Sequence, residues 1–282
     1  MASSFGAGRA VSATSLGGIG DGLARRSPLT AMRAEPLLAA SLVLAAGLAW
    51  WSASARMAGM DEGPGTALGS LGSFTALWAT MMAAMMLPSL APAAATFAGA
   101  AGRRPDRLVL FVGGYLLVWS AAGLGAYGLY ELARGALGVS LSWDGGGRWL
   151  AAGVLGLATL YQLTPLKRTF LSRCRGPLRA AAGATRSASL AAGVSGGGWC
   201  LGCSWALMAA LFALGVMSLT WMAAIAVLVA LEKLGPSASG ARLATAGVLA
   251  ALALGVLAAP HDVPGLVLPG SSASPHAMKA MG

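Results

Sequence analysis

Apolar residues in this chain gather into long runs separated by short stretches rich in basic residues or in Gly, Pro and Ser. The runs fall at Pro36–Ala55, Ser73–Gly102, Leu108–Leu132, Trp149–Leu166, Leu190–Val216, Leu219–Leu231 and Ala241–Ala259. A helix crosses the hydrocarbon core of a bilayer with about 20 predominantly apolar residues. Each run meets that length except the sixth, which is short unless Met217 and Glu232 are counted with it. The pattern predicts an all-α fold, a polytopic transmembrane helical bundle of about seven spans over residues 35–260.

The two ends differ from this middle. Residues 1–34 are Gly, Ala, Ser and Arg with few large apolar side chains, a composition that predicts a disordered tail. Residues 261–282 continue a Pro/Gly/Ser-rich stretch and are expected to be a flexible tail. Leu37–Trp51 follows basic residues and precedes Ser52-Ala53-Ser54-Ala55, so it also reads as a cleavable signal peptide. In that case six spans remain and the rest of the topology is unchanged. Arg25-Arg26 is a poor twin-arginine match.

Composition removes the soluble classes. The 282 residues are 57% hydrophobic and 10% charged, against about 45–50% and about 25% in globular chains. Mean hydropathy is +0.72. The net charge of +10 raises nucleic acid as a partner, but the basic residues are placed for another purpose. In a seven-span arrangement, 15 of the 19 Lys and Arg fall on one side, leaving Arg56, Arg134, Arg148 and Lys279 on the other. Cytoplasmic loops carry such an excess. The N-terminus is therefore expected in the cytoplasm and the C-terminus outside, with the bilayer and no nucleic acid as partner. Trp50, Trp51, Trp143, Trp149 and Trp221 stand at run ends, where aromatic belts form.

Soft donors are the candidate chemistry. Among thirteen methionines, Met81, Met82, Met85 and Met86 fall at i, i+3 and i, i+4 spacing, so their side chains share one contiguous patch of a helix. Thioethers suit Cu(I) and serve Zn(II) or Mg(II) poorly. Methionine also fills irregular gaps between helices, so packing stands beside ligation as a reading. Pro88 and Pro92 follow directly; each lacks an N–H, which leaves the carbonyls of Ala84 and Pro88 without helical partners and predicts a kink.

Cys200-Leu201-Gly202-Cys203 places two thiols near the cytoplasmic side of the fifth run, and Cys174 lies in the basic cytoplasmic stretch before it. A third thiolate from Cys174 would complete a trigonal site suited to Cu(I), or a partial Zn site. The same CxxC can also run thiol–disulfide exchange, and a cysteine can be a small buried hydrophobe. A reducing cytoplasm disfavours a structural disulfide. On the outer side, Met57 and Met60, with Asp61 and Glu62, form a candidate collecting site in the first loop. His261-Asp262 and His276 with Met278 are weaker candidates of the same kind. Glu232-Lys233 closes the sixth run and reads as an interface pair, although ionisable residues within a membrane flag function.

Several ordered motifs carry a resemblance. They are Met81-Met82-Ala83-Ala84-Met85-Met86-Leu87-Pro88-Ser89, Gly114-Tyr115 with Trp119, Tyr161-Gln162 with Thr164-Pro165 and Lys167, Cys200-Leu201-Gly202-Cys203 with Trp205 and Met208, and Leu231-Glu232-Lys233. Over about residues 70–236 the chain resembles a bacterial family of predicted metal-binding integral membrane proteins, a domain of unknown function. The resemblance implies an inner-membrane protein that handles a metal. Many relatives carry a cysteine where this chain has Ser204 and a histidine where it has Gly196, so this member offers fewer donors.

The leading expectation is a non-enzymatic membrane protein that binds, and passes across the membrane, a soft metal ion, foremost Cu(I). Met57 and Met60 would collect it, the Met81–Met86 patch hold it, Met208 relay it, and Cys200 and Cys203 receive it inside, where a metallochaperone is the partner to expect. No GxxxxGK[ST] motif is present to power transport. Two other classes stay open: a membrane thiol–disulfide oxidoreductase working through Cys200 and Cys203, and a non-catalytic membrane subunit or assembly factor.

Overall fold

The computed structural model describes residues 35–58, 68–137, 146–176, 185–260 and 263, with side chains described to Leu132 in the second stretch. Met60, Asp61, Glu62, His261, Asp262, His276 and Met278 lie outside the described residues, as do the N-terminal tail and all of the C-terminal tail except Val263. Among the described residues the chain forms eight helices and no strand: α1 (Pro36–Met57), α2 (Leu71–Ala100), α3 (Pro105–Leu137), α4 (Gly147–Leu163), α5 (Pro165–Arg175), α6 (Arg186–Gly215), α7 (Leu219–Leu234) and α8 (Ala238–Ala258).

Local chemistry sets the helix starts. Pro36 occupies the first turn of α1, where its missing N–H costs nothing. Side-chain oxygens of Ser70, Thr164, Thr185 and Ser237 accept from the backbone N–H groups of Ser73, Lys167, Ala188 and Gly240, capping α2, α5, α6 and α8.

Five helices are long and apolar enough to cross a membrane: α1, α2, α3 over Pro105–Leu132, α6 and α8. Helices α4 and α5 reach that length and apolarity only as a pair, with a 69° bend between them. The sequence pattern carried the fourth run straight on to Leu166, and here the structure differs. Thr164 ends α4 in an extended conformation (φ −70°, ψ 151°) and caps α5. Pro165 enforces this, because its ring excludes the helical conformation from the residue before it. At 16 residues α7 spans roughly 24 Å, short of the roughly 30 Å hydrocarbon core.

Helices α2 and α6 are the centre of the bundle, with 61% and 56% of their spans buried, against 22% for α1 and 28% for α3 and α8. The outer helices present Leu44, Leu48, Trp51, Leu117, Leu129, Leu243 and Leu254 outward. A belt of large apolar side chains this extensive suits lipid and not water. Trp149 is exposed as a belt residue would be, whereas Trp221 is buried in the core. Helix α1 packs on α2, α3 on α6 and α2, α8 on α4, and α5 on α6, while α7 touches α2, α5, α6 and α8.

The α3–α6 contact is backbone on backbone. A Cβ at Gly193 would overlap the Phe111 carbonyl, and one at Gly114 would overlap the Leu190 carbonyl. Small residues permit this approach where apolar solvation cannot drive helices together. The approach brings Tyr115 of α3 to the middle of α6. Helix α2 runs unbroken through Pro88 and Pro92. Met57 is the last residue of α1 and is buried, so it is a core side chain and not a loop donor facing water.

Candidate metal centre

Cys200 and Cys203 are one helical turn apart on α6 and face the same way. Both are 1% exposed. The bend at Thr164–Pro165 folds α5 back against α6, and α5 brings Cys174 to the pair. The three sulfurs lie within 4.8 Å of one another. Three sulfurs sharing an ion at about 2.3 Å would stand about 4 Å apart in a trigonal plane, so modest contraction gives that geometry. Three thiolates form a soft donor set that suits Cu(I) or Zn(II) and not Mg(II) or Ca(II).

What holds α5 in place is a set of specific contacts. A Cβ on Gly202 would collide with the ring of Phe170, so the glycine inside the CxxC gives the α5 ring its seat. Phe170 packs on Trp199 at 5.8 Å between centroids, and the Arg173 guanidinium lies 4.6 Å over the same indole. Arg175 donates to the carbonyls of Glu232 (2.7 Å) and Gly235 (2.8 Å). It thereby satisfies carbonyls that the end of α7 leaves open.

Around the thiols lies a buried polar shell. Tyr115 Oη is 2.8 Å from Cys200 Sγ. Lys233 Nζ is 2.8 Å from Cys200 Sγ, 3.2 Å from Ser89 Oγ and 3.7 Å from Met86 Sδ. Ser89 in turn donates to the Met86 carbonyl at 2.9 Å. Lys167, fully buried on the first turn of α5, pairs with Glu232 Oε2 at 2.7 Å and donates to the Cys203 carbonyl. The other oxygen, Glu232 Oε1, has no hydrogen-bond partner among the described residues. Tyr161 donates to the Gly202 carbonyl at 2.5 Å, and Cys203 Sγ lies 3.4 Å from Ser204 Oγ.

Buried charge is costly unless matched. Lys167 and Glu232 match each other. Among the described residues Lys233 pairs with no carboxylate; its neighbours are two sulfurs and a hydroxyl. Of these neighbours Cys200 Sγ is the nearest, at 2.8 Å.

Each candidate residue can now be placed. Cys174, Cys200 and Cys203 come together. Met86 joins them through Lys233. Met81, Met82 and Met85 are buried on the same helix, up to roughly 7.5 Å of axial rise away. Met208 is buried farther along α6 and Met57 at the end of α1; no contact described here connects either to the thiols. Lys167 and Lys233, counted with solvated loops in the charge census, are inside the protein, and Glu232-Lys233 is a buried part of the centre and not an interface pair. Sequence reasoning named Tyr115 and Lys167 only as motif residues, and read Glu232 and Lys233 as an interface pair with a functional flag, without placing any of the four at the site. The available signal was their ionisable or hydroxyl chemistry inside an apolar run, for Tyr115, or directly at the end of one, for Lys167, Glu232 and Lys233.

A family model described as PpoB2, a copper chaperone, matches residues 75–258, and the chain belongs to this copper chaperone family. The matched stretch runs to the last residue of α8, beyond the residue near 236 where the motif resemblance ends. No curated protein and no solved structure matches the chain.

Proposed function

We propose that the protein is a membrane-embedded Cu(I) chaperone that holds its ion between Cys174, Cys200 and Cys203. The observation that carries this reading is the meeting of three thiols from two helices within 4.8 Å, in a chain of a copper chaperone family. Cu(I) with three thiolates would carry two negative charges, and the ammonium of Lys233, 2.8 Å from Cys200 Sγ, would offset one of them, which lowers the cost of burying the loaded site. Tyr115 orients Cys200, and the Lys167–Glu232 pair fixes the turn of α6 that bears Cys203.

The orientation read from the basic residues places this centre toward the cytoplasmic face of an inner membrane. Met81, Met82, Met85 and Met86 then form a thioether row leading from the outer half of α2 to the thiols, and ions would cross along it. The thiol–disulfide reading is poorly served: exchange needs an accessible attacking sulfur, and both members of the CxxC are buried.

Elemental analysis of protein purified in detergent from cells supplemented with copper and zinc tests the reading. The expected result is copper in near-stoichiometric amount, with Cys200 and Cys203 resisting alkylation until a chelator removes it. Zinc in place of copper, or equal labelling before and after chelation, would overturn it.

A further inference from the structure

The three thiols are not equivalent. Cys200 and Cys203 are each 1% exposed, whereas Cys174 is only partly buried. Tyr115 and Lys233 crowd Cys200, while Ser204 and the Cys200 carbonyl sit against Cys203. Cys174 stands near the end of α5, one residue after exposed Arg173 and on the helix that also exposes Arg168 and Ser172.

A tightly held soft ion changes owners by ligand exchange, in which an incoming sulfur bonds the ion before an old bond is lost. The old ligand that leaves must be one the incoming group can reach, just as access decides which sulfur is attacked in thiol exchange. Of the three, Cys174 is the least buried residue and the one nearest the exposed face of α5. Its position is fixed on both sides, by Phe170 seated on Gly202 and by the Arg175 clamp on α7. Cys174 can therefore serve as a reachable ligand without α5 leaving the bundle.

We propose that Cys174 is the exchange ligand of the centre, the thiol through which Cu(I) passes between the buried Cys200–Cys203 pair and a thiolate-bearing carrier at the α5 face. This rests on the copper reading above and gives it a route. The step moves one cation and no electrons. As the carrier's sulfur bonds the ion, the bond to Cys174 breaks, and then those to the buried pair. For each carrier thiol that loses its proton in bonding the ion, one cysteine sulfur of the centre gives up its bond and takes a proton, so charge and protons balance. In loading, the same steps run backwards.

The test uses the full chain in detergent, loaded with Cu(I) under reducing, anaerobic conditions, with a water-soluble chromophoric Cu(I) chelator as the probe. Cys174→Ser should retain bound copper yet release it about tenfold or more slowly than the wild type. Cys200→Ser and Cys203→Ser should each lose the ion. In metal-free wild-type protein, a water-soluble maleimide should label Cys174 before Cys200 or Cys203, a readout that needs neither copper nor a variant.

Unchanged release from Cys174→Ser would overturn the proposal, as would labelling of the buried pair first. A Cys174→Ser protein that holds no copper would also overturn it, since Cys174 would then be an indispensable structural ligand. Wild-type protein that holds no Cu(I), with the labelling order as expected, would instead bring down the copper reading beneath it.

Discussion

Lys233 Nζ lies 2.8 Å from Cys200 Sγ, an ammonium from the end of α7 against a thiol at the middle of α6. The ammonium would stabilise negative charge placed on this sulfur by a bound ion's ligand set. Replacing Lys233 with Met removes the charge while keeping an unbranched side chain. Cu(I) affinity should fall by about tenfold or more, at about 1.4 kcal/mol for each factor of ten. Lys233→Arg should retain most of it. Competition against a chromophoric Cu(I) chelator measures both, and an unchanged affinity in Lys233→Met would remove the counter-charge role.

The Lys167–Glu232 pair should behave as a structural unit. Both side chains are buried, so removing one partner strands the other. Glu232→Gln should destabilise the protein by about 3–5 kcal/mol, as breaking a buried pair does. The double change Lys167→Met with Glu232→Leu should recover much of that loss. Thermal unfolding in detergent, arranged as a double-mutant cycle, gives the coupling. Additive effects would show that the two charges do not depend on each other.

Gly202 tests how Cys174 is positioned. A Cβ there meets the Phe170 ring, so Gly202→Ala should push α5 away from α6. The yield of Cys174–Cys203 cross-link with a short bifunctional thiol reagent should drop. Adding Phe170→Leu should restore it by making room for the methyl group. Failure of that rescue would mean the ring is not what seats α5.

The topology prediction is independent of any metal. A reporter fused after Gly282 should behave as extracytoplasmic, and one inserted within residues 177–184 as cytoplasmic. Both on one side would contradict seven crossings; an extracytoplasmic 177–184 reporter would reverse the orientation.

How far the sequence could be read divides along physical lines. Helices α1, α2, α3, α6 and α8 are plain in it, because lipid demands continuous apolar length and that length is a local property. The spacing of Cys200 and Cys203 also sets their shared face without any tertiary knowledge. The arrival of Cys174 depends on the turn at Thr164–Pro165, a local signal that a count of apolar residues runs through. Lys167 and Lys233 were hidden for a different reason. Counting cations by loop treats each as solvated, whereas partners for these two, Glu232 and Cys200, come from helices distant in sequence. Gly202 could be seen as part of the CxxC, but the Phe170 ring that requires it could not.

The methionines of α2 separate packing from transfer. Leucine is close to methionine in volume, so such swaps in a core usually cost under about 1.5 kcal/mol, yet leucine offers no sulfur. Met81/Met85 and Met82/Met86 point about 100° apart around the helix, so the two pairs can be changed separately. Met86 approaches Lys233 at 3.7 Å, beside the thiols. Met82→Leu with Met86→Leu should therefore leave detergent stability nearly intact while reducing copper loading from the outer side. Met81→Leu with Met85→Leu should have the smaller effect. Uptake of labelled copper into proteoliposomes, followed by metal analysis of the protein, measures it. If both double variants load copper as fast as the wild type, the thioether row is core packing and ions reach the thiols by another path.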